Sequence, residues 1–370
     1  MRVLLSGGGT GGHIYPALAL ADELKRRHPE CEILYVGTAR GLENKIVPPR
    51  GYKLKNIHAE GLPRKLNLDL LRSFTKAFQG LGEARRIIKN FKPDLVLGTG
   101  GYVCGPVVLS AYLLKVPTFI HEQNAMPGVT NKILSRFVDR VFVNFAESEK
   151  YFKCKDKIII SGLPVRAEVL TTARDEGIAY FGLDENKPIM LVSGGSRGAR
   201  SINKAMVEAY PRLLSESDVQ IIHATGRDGY EETKKLILDK GIDLAKYSAR
   251  IRLEPYLEHM EYALAACDVT VARAGATNLA EICACGKAAV LVPYPFASEN
   301  HQEYNARVLA DAKAAEMILD KDLNGEILAE KVLHILNDDG LREQMSVESA
   351  KLGKKDSLNE IADFLEQYLT

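Results

Sequence analysis

A chain of 370 residues with 46% hydrophobic and 26% charged residues has an ordinary soluble composition, and its length favours two domains over one core. No apolar run approaches the roughly 20 residues that cross a bilayer, and Met1 leads straight into a strand pattern without a signal peptide. The six cysteines show neither a C-x-x-C pair nor zinc spacing, so reduced thiols in a cytosolic protein are expected. The net charge of +1 divides unevenly: residues 1–162 hold 25 Lys and Arg against 14 Asp and Glu, and residues 163–370 hold 24 against 34. The first half therefore suits an acidic partner such as anionic lipid, a diphosphate or nucleic acid.

Strand patterns at 2–6, 32–36, 94–98, 117–120 and 140–143 alternate with helical periodicity, as at 16–27. That alternation implies a parallel sheet covered by helices. The first strand runs into Gly7-Gly8-Gly9-Thr10-Gly11-Gly12-His13. Glycine lets backbone N–H groups approach an anion, and a helix N-terminus adds positive dipole. Gly7, Gly9 and Gly12 satisfy G-x-G-x-x-G, but the second strand ends Val36-Gly37-Thr38-Ala39-Arg40 without a ribose-binding acid. No Lys-Ser/Thr completes a Walker loop, so an anion or substrate loop is expected, without a nicotinamide signature. His13 opens the next helix, where the dipole disfavours imidazolium. A neutral ring there suits a general base acting on a hydroxyl, against the alternative of a capping or core histidine.

Between Gly61 and Lys92, eight Lys and Arg stand against two acids, interleaved with Leu66, Leu68, Leu70, Leu71, Phe74, Phe78 and Leu81. Such a segment suits a surface resting on anionic headgroups, or a core-facing helix with a basic outer face. Gly98-Thr99-Gly100-Gly101-Tyr102 forms another glycine loop, and His121-Glu122-Gln123-Asn124 a polar cluster at a strand's C-terminal end, where open α/β sheets bind ligands.

Residues 161–166, with Gly162 and Pro164, mark the seam. Beyond it the plan repeats, with strands at 189–192, 219–223, 250–253, 268–272 and 288–292 and helices at 201–214 and 277–285. A second phosphate-type loop, Gly194-Gly195-Ser196-Arg197-Gly198-Ala199-Arg200, follows the first of these strands, and Ser196 offers a hydroxyl donor. Gly275 and Ala276 open another helix N-terminus to a diphosphate, with Glu281 one turn in, placed to bind ribose hydroxyls or merely to stabilise the dipole. The expectation is an α/β protein with two Rossmann-like parallel-sheet domains facing a central cleft. They span 1–162 and 163–340, and a helical tail at 341–370 can pack back on the first.

Read together, Gly8 to His13, Gly98 to Pro106, His121 to Asn124, Pro164 to Arg166, Gly194 to Arg200, Arg273 to Ala276 and His301 to Ala306 resemble one family from end to end. It is the bacterial undecaprenyldiphospho-muramoylpentapeptide β-N-acetylglucosaminyltransferase family, of the GT-B fold. The resemblance implies inverting transfer of N-acetylglucosamine from UDP-N-acetylglucosamine to the C4 hydroxyl of the lipid-linked muramoyl-pentapeptide in peptidoglycan synthesis. It implies His13 as base, with Glu122 or a water relay second. It places Thr10, Gly11, Gly12 and Asn124 on the catalytic side of the donor. Ser196 and the Ala276-Thr277 turn fall at the diphosphate and Glu281 at the ribose, with Asn278, Leu279 and Ala280 among the donor-binding residues. Arg166 and the Leu257 backbone fall at the uracil, and Gln302 with Asn305 at the donor sugar. No metal or other cofactor and no nucleic acid is implied. The implied location is the cytoplasmic face of the membrane, with Arg72, Lys76, Arg85 and Arg86 docking on anionic lipid. Arg197, Asn278 and Leu163 depart from the family's commonest residues. Rival readings are a UDP-N-acetylglucosamine 2-epimerase, a transferase making diacylglycerol glycolipids and an inactive sugar-nucleotide sensor.

Overall fold

The structure, a computed structural model, describes residues 1–60, 68–195 and 197–369, with backbone only for 68–78. It divides into two units, Met1–Pro164 with Asp356–Thr370, and Val165–Lys355.

The first unit is built on seven parallel strands: β1 (Arg2–Ser6), β2 (Glu32–Thr38), β3 (Lys53–Ile57), β4 (Leu95–Gly98), β5 (Thr118–Glu122), β6 (Arg140–Val143) and β7 (Ile158–Ile160). Their order is β3-β2-β1-β4-β5-β6-β7. In β1, Val3 and Leu5 enter one core layer and Leu4 the other, the period-two alternation of a strand covered on both faces. β1 pairs with both β2 and β4, Leu4 lying opposite Leu34 and Val96. The sheet order therefore reverses between β1 and β4, and the loops leaving their C-terminal ends flank the crevice where such sheets bind ligands.

The second unit repeats this with six strands: β8 (Ile189–Ser193), β9 (Gln220–Ala224), β10 (Ile251–Glu254), β11 (Val269–Ala272), β12 (Ala288–Leu291) and β13 (Ala315–Met317). They are ordered β10-β9-β8-β11-β12-β13, with the reversal between β8 and β11.

The tail does not act as one piece. Helix Asp339–Leu352 packs on helix Ala276–Ala284 and buries Met345 in the second core, so residues 341–355 belong to the second unit. Only helix Ser357–Glu366 joins the first. Its residues Ser357, Ile361 and Leu365 recur every four positions and are buried, and Phe364 meets Phe142 edge-on at 5.5 Å. Arg27 adds an ion pair to Asp363 and a hydrogen bond to Asn359, and His28 Nε2 lies 2.9 Å from Glu366. The seam falls after Pro164, two residues beyond the expected boundary.

Candidate active site

In the first unit, helix Gly11–Arg27 starts immediately after the glycine loop, with Thr10 extended at its N-cap and no acidic residue in its first turn. First-turn N–H groups lack intrahelical partners and face whatever lies beyond the helix end. Glu43, fully buried, pins the loop from behind. It accepts the Thr38 N–H at 2.7 Å and the Gly9 N–H at 3.3 Å. The loop after β4 interlocks with it, the Gly8 N–H donating to Gly100 O at 3.2 Å.

His13 is half-buried in this junction. Its Nδ1 lies 2.9 Å from Gly8 O. A carbonyl can only accept, so Nδ1 carries the proton and, in the neutral ring, Nε2 is left with its lone pair. That nitrogen has no hydrogen-bond partner among the described residues. The ring edge lies against Gly100 (φ +113°), where a Cβ would come within 3.0 Å of Nε2. Only glycine fits there.

The polar cluster ending β5 turns inward. Glu122, 2% exposed, spends both oxygens on the following loop. It accepts from the Asn124 N–H and Nδ2 at 3.0 and 3.2 Å, the Gly128 N–H at 3.1 Å and Asn131 Nδ2 at 2.8 Å. A carboxylate so enclosed and so fully engaged is not placed to take a substrate proton. The expectation of Glu122 as alternative base is corrected: it holds Asn124 in position. His121 is buried as well, and burial holds its imidazole down to about 4.

In the second unit the loops after β8 and β9 approach each other closely. Gly198 (φ +76°) leaves no room for a side chain, since a Cβ would lie 2.0 Å from Thr225 O. Ser196 lies outside the described residues. Gly275 caps helix Ala276–Ala284, and Asn278 Nδ2 ties back to Arg273 O at 3.1 Å. Leu279 is fully buried, so its expected donor contact can come only from the backbone; Thr277 and Ala280 are half-buried. Glu281, 6% exposed, accepts Arg166 Nε at 2.8 Å through one oxygen, and the other has no hydrogen-bond partner among the described residues. Leu257 buries its side chain, which leaves its main chain as the group able to meet a ligand.

Gln302 Oε1 accepts the Tyr294 N–H at 2.9 Å, and its Nε2 faces Gly275 at the helix N-terminus. Asn305 differs from expectation. It is fully buried and donates to Ala274 O at 3.1 Å, so it shapes the turn and is not placed to read a sugar. Arg273 likewise serves the scaffold, reaching Asp320 at 2.6 Å and Ser201 at 2.8 Å.

Residues 3–143 match the model of the glycosyltransferase family 28 N-terminal domain, and residues 189–361 that of its C-terminal domain. A relative from Desulforamulus reducens, UDP-N-acetylglucosamine--N-acetylmuramyl-(pentapeptide) pyrophosphoryl-undecaprenol N-acetylglucosamine transferase, is 48% identical over 369 residues, covering 100% of this chain and 99% of its own. The chain belongs to glycosyltransferase family 28.

The crystal structure of MurG from Acinetobacter baumannii is similar to this family member with a TM-score of 0.80 at 30% identity, covering 99% of both chains. The UDP-GlcNAc 2-epimerase of Neisseria meningitidis bound to UDP-GlcNAc shares the fold at 14% identity and a TM-score of 0.66, covering 99% of this chain and 100% of its own. The first family 28 domain here brings Thr10, Gly11, Gly12 and His13 together. The second unit brings Ala276, Thr277, Gln302, Glu281 and Arg166 around one helix. Glu43 escapes the sequence reading, which names Thr99 only as part of a glycine loop, without a supporting role. Both follow or lie in glycine-rich stretches, but nothing in their spacing marks them as supports for the first loop.

Proposed function

We propose that the chain moves N-acetylglucosamine from UDP-N-acetylglucosamine to the C4 hydroxyl of undecaprenyl-diphospho-muramoylpentapeptide, inverting the anomeric centre. The first unit supplies the base and the lipid-linked acceptor's loops; the second holds the UDP-sugar. The observation that carries the mechanism is His13, whose Nδ1–H is anchored on Gly8 O at 2.9 Å so that Nε2 presents a lone pair. His13 takes the acceptor hydroxyl's proton as the oxygen attacks the anomeric carbon. The C–O bond to UDP breaks on the opposite face, and the diphosphate leaves with the bonding pair. Main-chain N–H groups at the N-terminus of Ala276–Ala284 receive its charge without reorganising. Glu281 reads the ribose with its unengaged oxygen and Gln302 the donor sugar. In this reading no metal is required, and a chelator leaves turnover unchanged.

The same proposal places the protein at the inner membrane surface. Among the described residues no helix is long and apolar enough to cross a bilayer. In helix Leu68–Phe91, Ala84 and Ile88 face the core while Arg85 and Arg86 are exposed; the side chains of Arg72 and Lys76 lie outside the described residues. The described part therefore behaves as a core-facing helix with a basic outer face. Among the described residues, further apolar side chains are offered to lipid: Tyr112, Leu113, Val129 and Ile133 are exposed, and Lys115 and Arg136 are exposed near them in the chain.

Incubation with labelled UDP-N-acetylglucosamine, with and without a lipid-linked muramoyl-pentapeptide, tests the function. Acceptor-dependent label in the lipid fraction is expected. Acceptor-independent appearance of an epimerised sugar nucleotide would move the chain to the 2-epimerases that share its fold.

A further inference from the structure

A chain of buried and part-buried hydrogen bonds runs from the main chain of His13 to Gly162, just before the chain first leaves the first unit. Thr99 Oγ1 donates to His13 O at 2.6 Å. The Thr99 carbonyl accepts Gln123 Nε2 at 2.7 Å. The same amide lies 3.2 Å from His121 Nδ1, and His121 Nε2 lies 2.8 Å from Gly162 O. The roles are fixed by chemistry. Gly162 O can only accept, so Nε2 carries the proton and Nδ1 accepts from the amide. Gly162 (φ +77°) also hangs from β6 by its N–H to Val143 O at 3.1 Å, and the chain leaves the unit after Pro164.

One feature of this network is costly. Gln123 Oε1 is buried and has no hydrogen-bond partner among the described residues. Turning the amide over would aim that oxygen at Thr99 O, His121 O and His121 Nδ1, three acceptors, so the orientation is locked. An apolar side chain at this position would avoid the cost of a buried acceptor without a partner.

We propose that Thr99, Gln123 and His121 are positioning residues, forming a strut that sets the placement of His13 and the conformation of residues 161–164 together. The inference rests on the reading of His13 as the base. Its test combines steady-state kinetics with nitrogen-15 spectra of the histidine rings, in which the His13 signal is the one missing from His13→Ala.

Thr99→Val, nearly isosteric, should lower kcat about tenfold to a hundredfold, since small displacements of a catalytic group carry losses of that order, and leave the donor KM within about twofold. Thr99→Ser, which keeps the hydroxyl, should restore kcat. His121→Leu should move the His13 signal from the far end of the strut, and the double variant should lose no more than the worse single one, because the two break one connection. Folded Thr99→Val with wild-type kcat and an unmoved His13 signal overturns the proposal, as do fully additive losses. If Thr99→Val does not fold, the His13 signal in Thr99→Ser and His121→Leu decides. Should His13→Ala keep its turnover, the base reading falls, and the strut is then judged by the His13 signal alone.

Discussion

Acidification should loosen each unit through one buried histidine. His121 in the first and His223 in the second are enclosed, and burial holds them down to about 4 and about 3. In an unfolded chain an imidazole titrates near ~6.5. The hydrogen-bond partners of His223 are neutral: its Nδ1 lies 2.7 Å from the Tyr210 hydroxyl and its Nε2 3.1 Å from Asn203 Oδ1. Both folded values lie below the unfolded one, so the unfolded state binds more protons between them. The contribution is whole above about pH 6.5 and is lost as the pH falls towards the folded values. At pH 5 each histidine then costs about 2 kcal/mol. Urea unfolding at pH 8 and pH 5, with one fluorescent probe in each unit, should show both midpoints falling by about 1 M. In His223→Gln the second unit starts less stable but loses most of this pH dependence, while the first keeps its own. Midpoints that do not move between pH 8 and 5, or an unchanged slope in His223→Gln, would refute the reasoning.

Glu281→Ala should weaken UDP binding about tenfold or more, the loss of hydrogen bonds to a charged acceptor; calorimetry with UDP and its 2′-deoxy analogue checks it, because the variant should no longer distinguish the two. Leu365→Ala, at a fully buried position of the returning helix, should cost the first unit about 2–5 kcal/mol, read as a lower melting temperature and faster proteolysis of the tail. Reversing Arg85 and Arg86 to Glu should reduce binding to vesicles containing anionic lipid about tenfold, with neutral vesicles unaffected; unchanged sedimentation with anionic vesicles removes these two residues from the docking surface.

Much of the architecture is legible in the residues themselves. Central parallel strands such as β1, β8 and β12 are covered on both faces and read as apolar runs. Two edge strands, β3 and β13, are not legible. β3 is Lys-Leu-Lys-Asn-Ile and mostly exposed, and β13 has three residues, so neither carries the apolar run of a central strand. The glycine loops are legible because close backbone packing demands glycine, whatever the ligand.

What the sequence leaves hidden is the direction a polar side chain takes. Glu122 and Asn305 have the residue types of a catalytic base and a sugar reader, yet each turns inward to satisfy backbone groups. Neither Glu43 nor Thr99 shows in sequence that it supports the first loop, which each does through contacts 34 and 86 residues away. Such pairings depend on sheet order, which local pattern does not encode.

His13→Ala tests the central claim most directly, with turnover and UDP affinity measured on the same preparation. The account predicts a fall in kcat of about a hundredfold or more, the range for loss of a general base, with UDP affinity kept within about twofold. Near-wild-type turnover, or a loss of UDP affinity matching the loss of turnover, would contradict it.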